Sequence, residues 1–128
     1  LIYHLKDVVA FNQYQHRPVT LQQALLKKFT QLVNHHYIEK RTVDEYAQLL
    51  SVTANHLSQS IKTASGKNAL AFINERLLAE AKSLISFTNF DMTEITYRLN
   101  FSDPANFGKF FKKHTGVTPL DFRNKSAK

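Results

Sequence analysis

The sequence predicts an all-α protein made of two similar helical units joined by a long central helix. Apolar residues recur at three- and four-residue steps rather than in alternation, which is the pattern of amphipathic helices. Only three glycines and three prolines occur in the 128 residues, so few segments contain the turn residues that are typical of hairpins. Hydrophobic residues make up 43% of the chain, which is enough for a packed core in one domain or in two small ones sharing a scaffold.

Residues 1–18 are expected to be the end of an upstream domain or a linker. Residues 1–14 place apolar side chains on one helical stripe, and the following His16-Arg17-Pro18 run breaks the helix. The chain begins with Leu rather than Met, which suggests a fragment or a processed chain.

Residues 19–66 predict a first helix-turn-helix subdomain. A long amphipathic helix runs from Thr20 to about Ile38, and a shorter helix capped by Thr42 runs to about Leu50. After a tight turn, Thr53 caps a third helix, which Gly66 ends in a left-handed conformation. The apolar stripe of the first helix is expected to contain Leu21, Leu25, Phe29, Leu32, Val33 and Tyr37.

Residues 67–88 predict a central linker helix. Its side chains available for burial are Leu70, Phe72, Ile73, Leu77, Leu78, Ala81, Leu84 and Ile85. At 1.5 Å per residue this helix is about 30 Å long, close to the roughly 34 Å of one turn of B-DNA. A rod of that length could hold a reading helix of each unit in successive major grooves on one face of a duplex.

Residues 89–128 repeat the first unit and predict a second helix-turn-helix subdomain. Glu45, Leu50 and Val52 match Glu94, Leu99 and Phe101 at an offset of 49. The offset becomes 50 after the turn, so one residue has been added there. The pairs at the second offset are Leu57 with Phe107, Ile61 with Phe111, Lys62 with Lys112, Gly66 with Gly116, Leu70 with Leu120, and Phe72 with Phe122. Each copy is a short helix, a tight turn and a longer helix, which is the layout of a helix-turn-helix unit.

The charge of the chain indicates an anionic partner. The formal net charge is +7, with +3 before Gly66 and +4 after it. Nucleic acid is the first candidate and an acidic membrane surface the second. The chain has no cysteine, which excludes disulfides and thiolate sites and makes an intracellular protein the default. No apolar run is long enough to span a bilayer, and no signal peptide is visible.

The third helix of each unit carries a polar face opposite its apolar stripe. In the first unit Leu57 and Ile61 point inward, and the outer face holds Asn55, Ser58, Gln59 and Lys62. In the second unit Phe107, Phe110 and Phe111 point inward, and the outer face holds Ala105, Asn106, Lys109, Lys112 and Lys113. Amides can pair with base edges, and lysines can reach guanine or phosphate. Any surface helix has a polar face, but two such faces at equivalent positions of a basic chain favour DNA recognition.

One stretch of the second unit resembles a known family signature. The residues from Phe101 to Arg123, FSDPANFGKFFKKHTGVTPLDFR, are similar to the signature of the AraC/XylS family of bacterial transcription regulators. The resemblance extends back to Glu94-Ile95-Thr96, to the segment from Arg76 to Lys82, and to the whole first unit, so it covers about residues 21–124. It implies a seven-helix DNA-binding domain with two recognition helices.

The resemblance also implies which residues read bases. By position, the family's base-contacting sites fall on Asn55, Ser58 and Gln59, and on Pro104, Ala105 and Lys109; Asn106 is added from its place on the outer face. We expect contacts with the DNA backbone from Thr53, Lys62, Lys112 and Lys113. Two positions depart from the family pattern: Asn100 stands where the turn usually has Gly, and Thr96 stands where a small Ala is expected. Asparagine tolerates the left-handed conformation.

Other chemistry finds little support in the sequence. His4, His16, His35, His36, His56 and His114 lack the spacing of a metal site, and no cysteine accompanies them. No set of polar residues converges as an enzyme would require, so we expect neither catalysis nor a cofactor. Arg76 could contact phosphate or pair with an acidic residue of a neighbouring helix. The phenylalanines at 101, 107, 110, 111 and 122 fall on one stripe and are expected in the core.

The sequence therefore predicts a cytoplasmic, nucleoid-associated regulator that binds double-stranded DNA sequence-specifically. Activation is favoured over repression by the resemblance alone. From the resemblance we also expect two candidate partners. One is RNA polymerase, and the other is a second copy of the protein that dimerises through a preceding N-terminal domain. Two alternatives remain open: a helical protein-interaction module that uses the helix from Leu21 to Tyr37, and a nonspecific RNA or membrane binder.

Overall fold

The computed structural model describes residues 19–126, and the side chain of Ser126 lies outside that description. The prediction for residues 1–18 also lies outside the described residues. Within residues 19–126 there are seven helices and no strand, which confirms the all-α prediction. The helices are α1 (Leu21–His36), α2 (Val43–Leu49), α3 (Ala54–Ser65), α4 (Ala69–Phe87), α5 (Met92–Arg98), α6 (Pro104–Thr115) and α7 (Pro119–Ser126).

Local capping explains where these helices begin. Thr20 and Thr42 each form a capping box. The threonine hydroxyl accepts the backbone N–H of the third residue of the helix, and the side chain of that residue accepts the backbone N–H of the threonine. Thr53 caps α3 and Asp103 caps α6, and the side chain of each accepts one backbone N–H of its helix. Gly66 and Gly116 end the same two helices at φ of 77° and 83°, a conformation that glycine adopts at little cost. The bounds that the sequence predicts for α1 to α4 agree with the observed ones to within about two residues.

The capping box at α2 also lowers the pKa of Glu45. Its carboxylate accepts hydrogen bonds from the backbone N–H groups of Arg41 (3.0 Å) and Thr42 (3.2 Å) and from the Thr42 hydroxyl (3.0 Å). These bonds hold the pKa of Glu45 below its ordinary value, and the bond from the Arg41 N–H has the largest effect. The carboxylate therefore stabilises the start of α2 as an anion.

A first hydrophobic cluster holds α1, α2 and α3 against the beginning of α4. Phe29 of α1 is fully buried and meets the rings of Tyr46 and Phe72 edge-on, at centroid distances of 5.5 and 6.0 Å. The Tyr46 hydroxyl donates to the Lys40 carbonyl at 2.9 Å, and burial raises the pKa of this tyrosine to about 12. The other buried members are Val33, Ala47, Leu57, Ile61, Ala69 and Ile73.

A second cluster holds α5, α6 and α7 against the rest of α4. Its buried members are Leu77, Ala81, Ile85, Ile95, Leu99, Phe107 and Phe111. Phe101, Phe110 and Phe122 are partly buried against them, so the phenylalanines belong to the core as predicted. Thr96 is fully buried where α5 packs, and its hydroxyl donates to the Met92 carbonyl at 2.6 Å. Thr96, which is larger than the alanine expected at this position, is thus buried without an unpaired polar atom.

The central helix α4 belongs to both clusters. Its buried residues follow each other every four positions, with Ala69 and Ile73 in the first cluster and Leu77, Ala81 and Ile85 in the second. Arg123 of α7 donates to the carbonyls of Ile85 (3.1 Å) and Thr88 (3.3 Å), and so satisfies acceptors at the end of this helix. At 1.5 Å per residue, its 19 residues span about 28 Å.

Two predictions of burial are wrong. Leu21 is 88% exposed, because the core begins one helical turn later, at the partly buried Leu25. Leu70 is 46% exposed, and its counterpart Leu120 is 57% exposed. Leu70 follows the buried Ala69 and therefore lies about 100° away from the buried stripe.

Candidate nucleic-acid interface

The turns before α3 and α6 have the same backbone geometry. Ser51 and Asn100, which correspond in the repeat, have φ of 57° and 63° and are the non-glycine residues with positive φ in the described part of the chain. The next residue of each turn donates its N–H back to the short helix at 3.0 Å, from Val52 to Ala47 and from Phe101 to Thr96. The left-handed conformation expected at Asn100 is confirmed. The left-handed conformation of Ser51 could not be predicted from its residue type, because serine has no marked preference for it.

The first of the two polar faces that the sequence predicts as recognition faces lies on α3. Leu57 and Ile61 are fully buried, which turns the opposite side of the helix outward. Asn55, Gln59 and Lys62 are exposed on it, and Ser58 is half-buried. The structure thus brings these four predicted residues to one surface.

Two side chains of this unit already have local partners. The Thr53 hydroxyl accepts the His56 N–H at 3.0 Å as the cap of α3. The ammonium group of Lys62 donates to the Gly66 carbonyl at 3.0 Å, at the other end of the helix. A phosphate contact from either residue would add to, or compete with, these bonds.

A shallow concave surface extends this face beyond the predicted residues. It is lined by Ser58, Gln59, Lys62, Thr63 and Asn68. Thr63 lies four positions after Gln59, so helical spacing could have identified it. Asn68 caps α4 after the left-handed Gly66, and only the folded chain shows that it lies beside α3.

The second recognition face lies on α6. Phe107 and Phe111 are buried, and Ala105, Asn106 and Lys109 are exposed on the other side. Pro104, also exposed, occupies the first turn of the helix, where its missing N–H is not needed. Lys112 and Lys113 are exposed in the last turn.

Asn106 is held by the residues just before it. Its side-chain nitrogen donates to the hydroxyl of Ser102, the residue added in this unit's turn, and lies 3.5 Å from the Asp103 carboxylate. Reading a base through that N–H would require breaking the bond to Ser102. The second face therefore presents Lys109 more freely than Asn106.

The charges around both faces favour an anion. Neither α3 nor α6 contains an acidic residue, whereas α6 ends with Lys112, Lys113 and His114. On the supporting helices, Glu75 pairs with Lys67 at 2.6 Å and Glu94 pairs with Arg98 at 2.9 Å. No acidic side chain of α3 or α6 therefore offsets the lysines on their exposed faces.

Within residues 19–126, Arg76 pairs with an acidic residue of its own helix rather than of a neighbouring one, and its contact with phosphate stays a prediction. Its guanidinium lies 4.1 Å from the centre of the Tyr37 ring and 3.8 Å from Glu80, which belongs to the same helix. Burial, followed by the charge of Glu80, raises the pKa of Tyr37. This group packs where the two clusters meet, because Tyr37 lies against both of them.

Two other kinds of site are absent from residues 19–126. No three histidine or acidic side chains lie close enough to hold a metal ion there. None of the seven helices has the length and apolar content needed to cross a bilayer.

Comparison with known proteins places these features in context. Residues 46–125 match the family described as helix-turn-helix domain. The chain is 25% identical to the HTH-type transcriptional activator RhaS of Salmonella newport over 104 residues, which are 81% of this chain and 37% of RhaS. The curated relatives that it matches are longer, and the chain spans 12–37% of their length.

Solved structures share the fold. The C-terminal domain of AraT, a response regulator from Geobacillus stearothermophilus, has a TM-score of 0.75 and 23% identity, covering 85% of this chain and 88% of that domain. The DNA-binding domain of AdpA, solved in complex with a target DNA, has a TM-score of 0.69 and 17% identity, covering 78% of this chain and 90% of that domain.

Proposed function

Because the chain belongs to the AraC/XylS family of helix-turn-helix transcription regulators, we propose that it binds one double-stranded DNA site through both of its helix-turn-helix units. One observation carries this proposal. The helices α3 and α6, which are exposed on one side and contain no acidic residue, belong to two units joined by a central helix of about 28 Å. That length is close to one turn of B-DNA, roughly 34 Å. In this proposal α3 and α6 enter successive major grooves on one face of the duplex.

The two helices would contribute differently. Asn55, Ser58 and Gln59 on α3 would read bases, the two amides as donor and acceptor together. On α6, Lys109 would reach a base edge, with Asn106 beside it, and Pro104 and Ala105 would offer apolar contact to thymine methyl groups. Thr53, Lys62, Lys112 and Lys113 would contact the DNA backbone and set the register.

The alternative of a protein-interaction module is less well supported. The apolar face of α1 that such a module would use is occupied, because Phe29 and Val33 lie in the first cluster. Leu21 and, just before the helix, Val19 are the large apolar residues exposed at this end of the described chain, and together they offer little surface to a partner.

Selection from a random duplex pool tests the proposed function. We expect enrichment of one site with two conserved blocks about one helical turn apart. Affinity for that site should exceed affinity for a scrambled duplex by at least about 10³-fold at physiological salt. Recovery of no preferred sequence, or equal binding to single-stranded RNA, would contradict the proposal.

We further propose that the chain is the DNA-binding part of a longer bacterial activator acting in the cytoplasm. The name of RhaS as an activator supports activation, and the greater length of the relatives supports a separate domain for sensing or dimerisation. RNA polymerase would be the protein partner. Transcription in vitro from a promoter that carries the selected site should rise on addition of the full-length protein, and a fall would indicate repression.

A further inference from the structure

Arg41 connects the two helix-turn-helix units. It lies between α1 and α2 and is anchored in the first unit, where its backbone N–H donates to Glu45 (3.0 Å) and its Nε donates to the Ile38 carbonyl (3.2 Å). The side chain is only partly exposed. The backbone and the Nε of Arg41 are therefore fixed to the first unit.

The other end of Arg41 contacts the turn of the second unit. Its Nη2 donates to the carbonyl of Leu99, 58 residues further along the chain. Its guanidinium carbon lies 4.7 Å from the centre of the Phe101 ring. These two residues flank the left-handed Asn100, so the contact falls on the turn itself.

The turn transmits this contact to the second recognition helix. The Phe101 ring packs against the rings of Phe107 and Phe110 on α6, both at a centroid distance of 5.3 Å. Arg41 of the first unit is thus one side chain away from the helix that would read DNA in the second.

The central helix is one of the attachments that set the relative orientation of the units. It determines their separation along its axis, but a single helix leaves bending and twisting to be resisted by its backbone. A contact away from that axis adds a second point of attachment. Tyr37 adds to it, because it packs against both hydrophobic clusters beneath the guanidinium of Arg76.

We propose that Arg41 is a positioning residue that fixes the orientation of α6 relative to α3 and thereby determines the spacing between the two half-sites that the chain accepts. The inference rests on the proposed function, and it concerns which spacing is bound rather than which bases are read. Two tethered modules gain affinity only when their geometry allows both to bind at once. Loosening the second unit should therefore change the dependence on spacing more than it changes binding to either half-site.

The first test needs no DNA. Because the chain has no cysteine, spin labels can be placed at Gln48→Cys on α2 and Thr93→Cys on α5, both exposed and outside the recognition faces. Pulsed electron paramagnetic resonance should give one narrow distance distribution with Arg41 present and a broader or shifted one in Arg41→Ala. A distribution unchanged by Arg41→Ala would overturn the proposal.

Arg98→Ala is a matched control. Arg98 also combines an ion pair, with Glu94 at 2.9 Å, and an aromatic contact, 4.1 Å from the Phe90 ring, but all of these residues lie in the second unit. Its loss should leave the distance distribution as it is. Equal broadening in both variants would show a general loss of packing and would also overturn the proposal.

The second test measures binding to duplexes in which the selected half-sites are moved apart by one or two base pairs. The unaltered chain should prefer one spacing by about tenfold or more, and Arg41→Ala should lose most of that preference while binding a single half-site within about twofold of the unaltered chain. Arg41→Lys should lie between the two and carries the test if the alanine variant does not fold. A spacing preference retained in both variants would contradict the proposed role.

The two tests separate this inference from the proposed function. If the unaltered chain recognises no duplex, the proposed function fails, and the inference fails with it as a determinant of spacing. The distance measurement would still report whether Arg41 holds the units. If the chain binds its site but Arg41→Ala changes neither distance nor spacing, only the inference fails.

Discussion

At the scale of single residues, Gln59 carries the most specific prediction. It is exposed on α3, opposite the buried Leu57 and Ile61. Gln59→Ala should weaken binding to the selected site by roughly 1–3 kcal/mol and relax the preference at one or two neighbouring base pairs. Gln31→Ala, an exposed glutamine on α1, is the control and should have little effect. Equal losses on all sequences would assign Gln59 to the DNA backbone instead.

The lysines of α6 should separate into two roles. Lys109 lies one turn after Ala105 on the exposed face, whereas Lys113 lies in the last turn. Lys109→Ala should alter sequence preference, and Lys113→Ala should lower affinity on all duplexes and reduce the log–log salt slope by about one. Measurements on the selected and scrambled duplexes across a salt series test both. Variants that keep unaltered slopes and preferences would show that these lysines are only solvated charges.

Glu45 makes a prediction about pH and stability. Its pKa is lowered in the folded chain by the hydrogen bonds from Arg41 and Thr42. Its contribution is therefore fully present above the ordinary value of 4.5 and is lost as the pH falls through the lower folded pKa. Chemical denaturation should show Glu45→Gln to be less stable than the unaltered chain at pH 7, and the two should converge as the pH falls below about 4.5. A difference independent of pH would exclude the charge of Glu45 as its source.

At the scale of elements, the two units were predictable because their signals are local. Thr53, Asp103 and Gly66 act through bonds to residues within four positions, so their roles follow from the neighbouring sequence. The limits of burial were harder to predict. Periodicity shows which face of α1 is apolar, but it does not show that the core stops before Leu21.

The central helix can be tested as a rod by lengthening it. Inserting two alanines after Asn74, between Ile73 of the first cluster and Leu77 of the second, should rotate the second unit by about 200° and advance it by about 3 Å. Specific affinity should fall towards that of one unit, while circular dichroism should show that helicity is retained. An unchanged affinity would indicate that only one unit binds.

At the scale of the whole molecule, the arrangement of the two units could not be predicted from the sequence. The contact from Arg41 to Leu99 joins residues 58 positions apart, and nothing next to Arg41 in the chain signals it. The apolar stripes of α3 and α6 predicted which side of each helix faces outward, and the exposure of those sides in the structure agrees with that prediction. The base-reading and backbone-contacting roles of the individual residues stay predictions.

The central claim is that a single chain presents both recognition helices to one face of a duplex. Hydroxyl-radical footprinting of the chain on its selected site tests this most directly. The account predicts two protected segments centred about 10–10.5 base pairs apart on the same face of the helix, at a stoichiometry of one chain per site. One protected segment, or two segments that appear only when two chains bind, would contradict it.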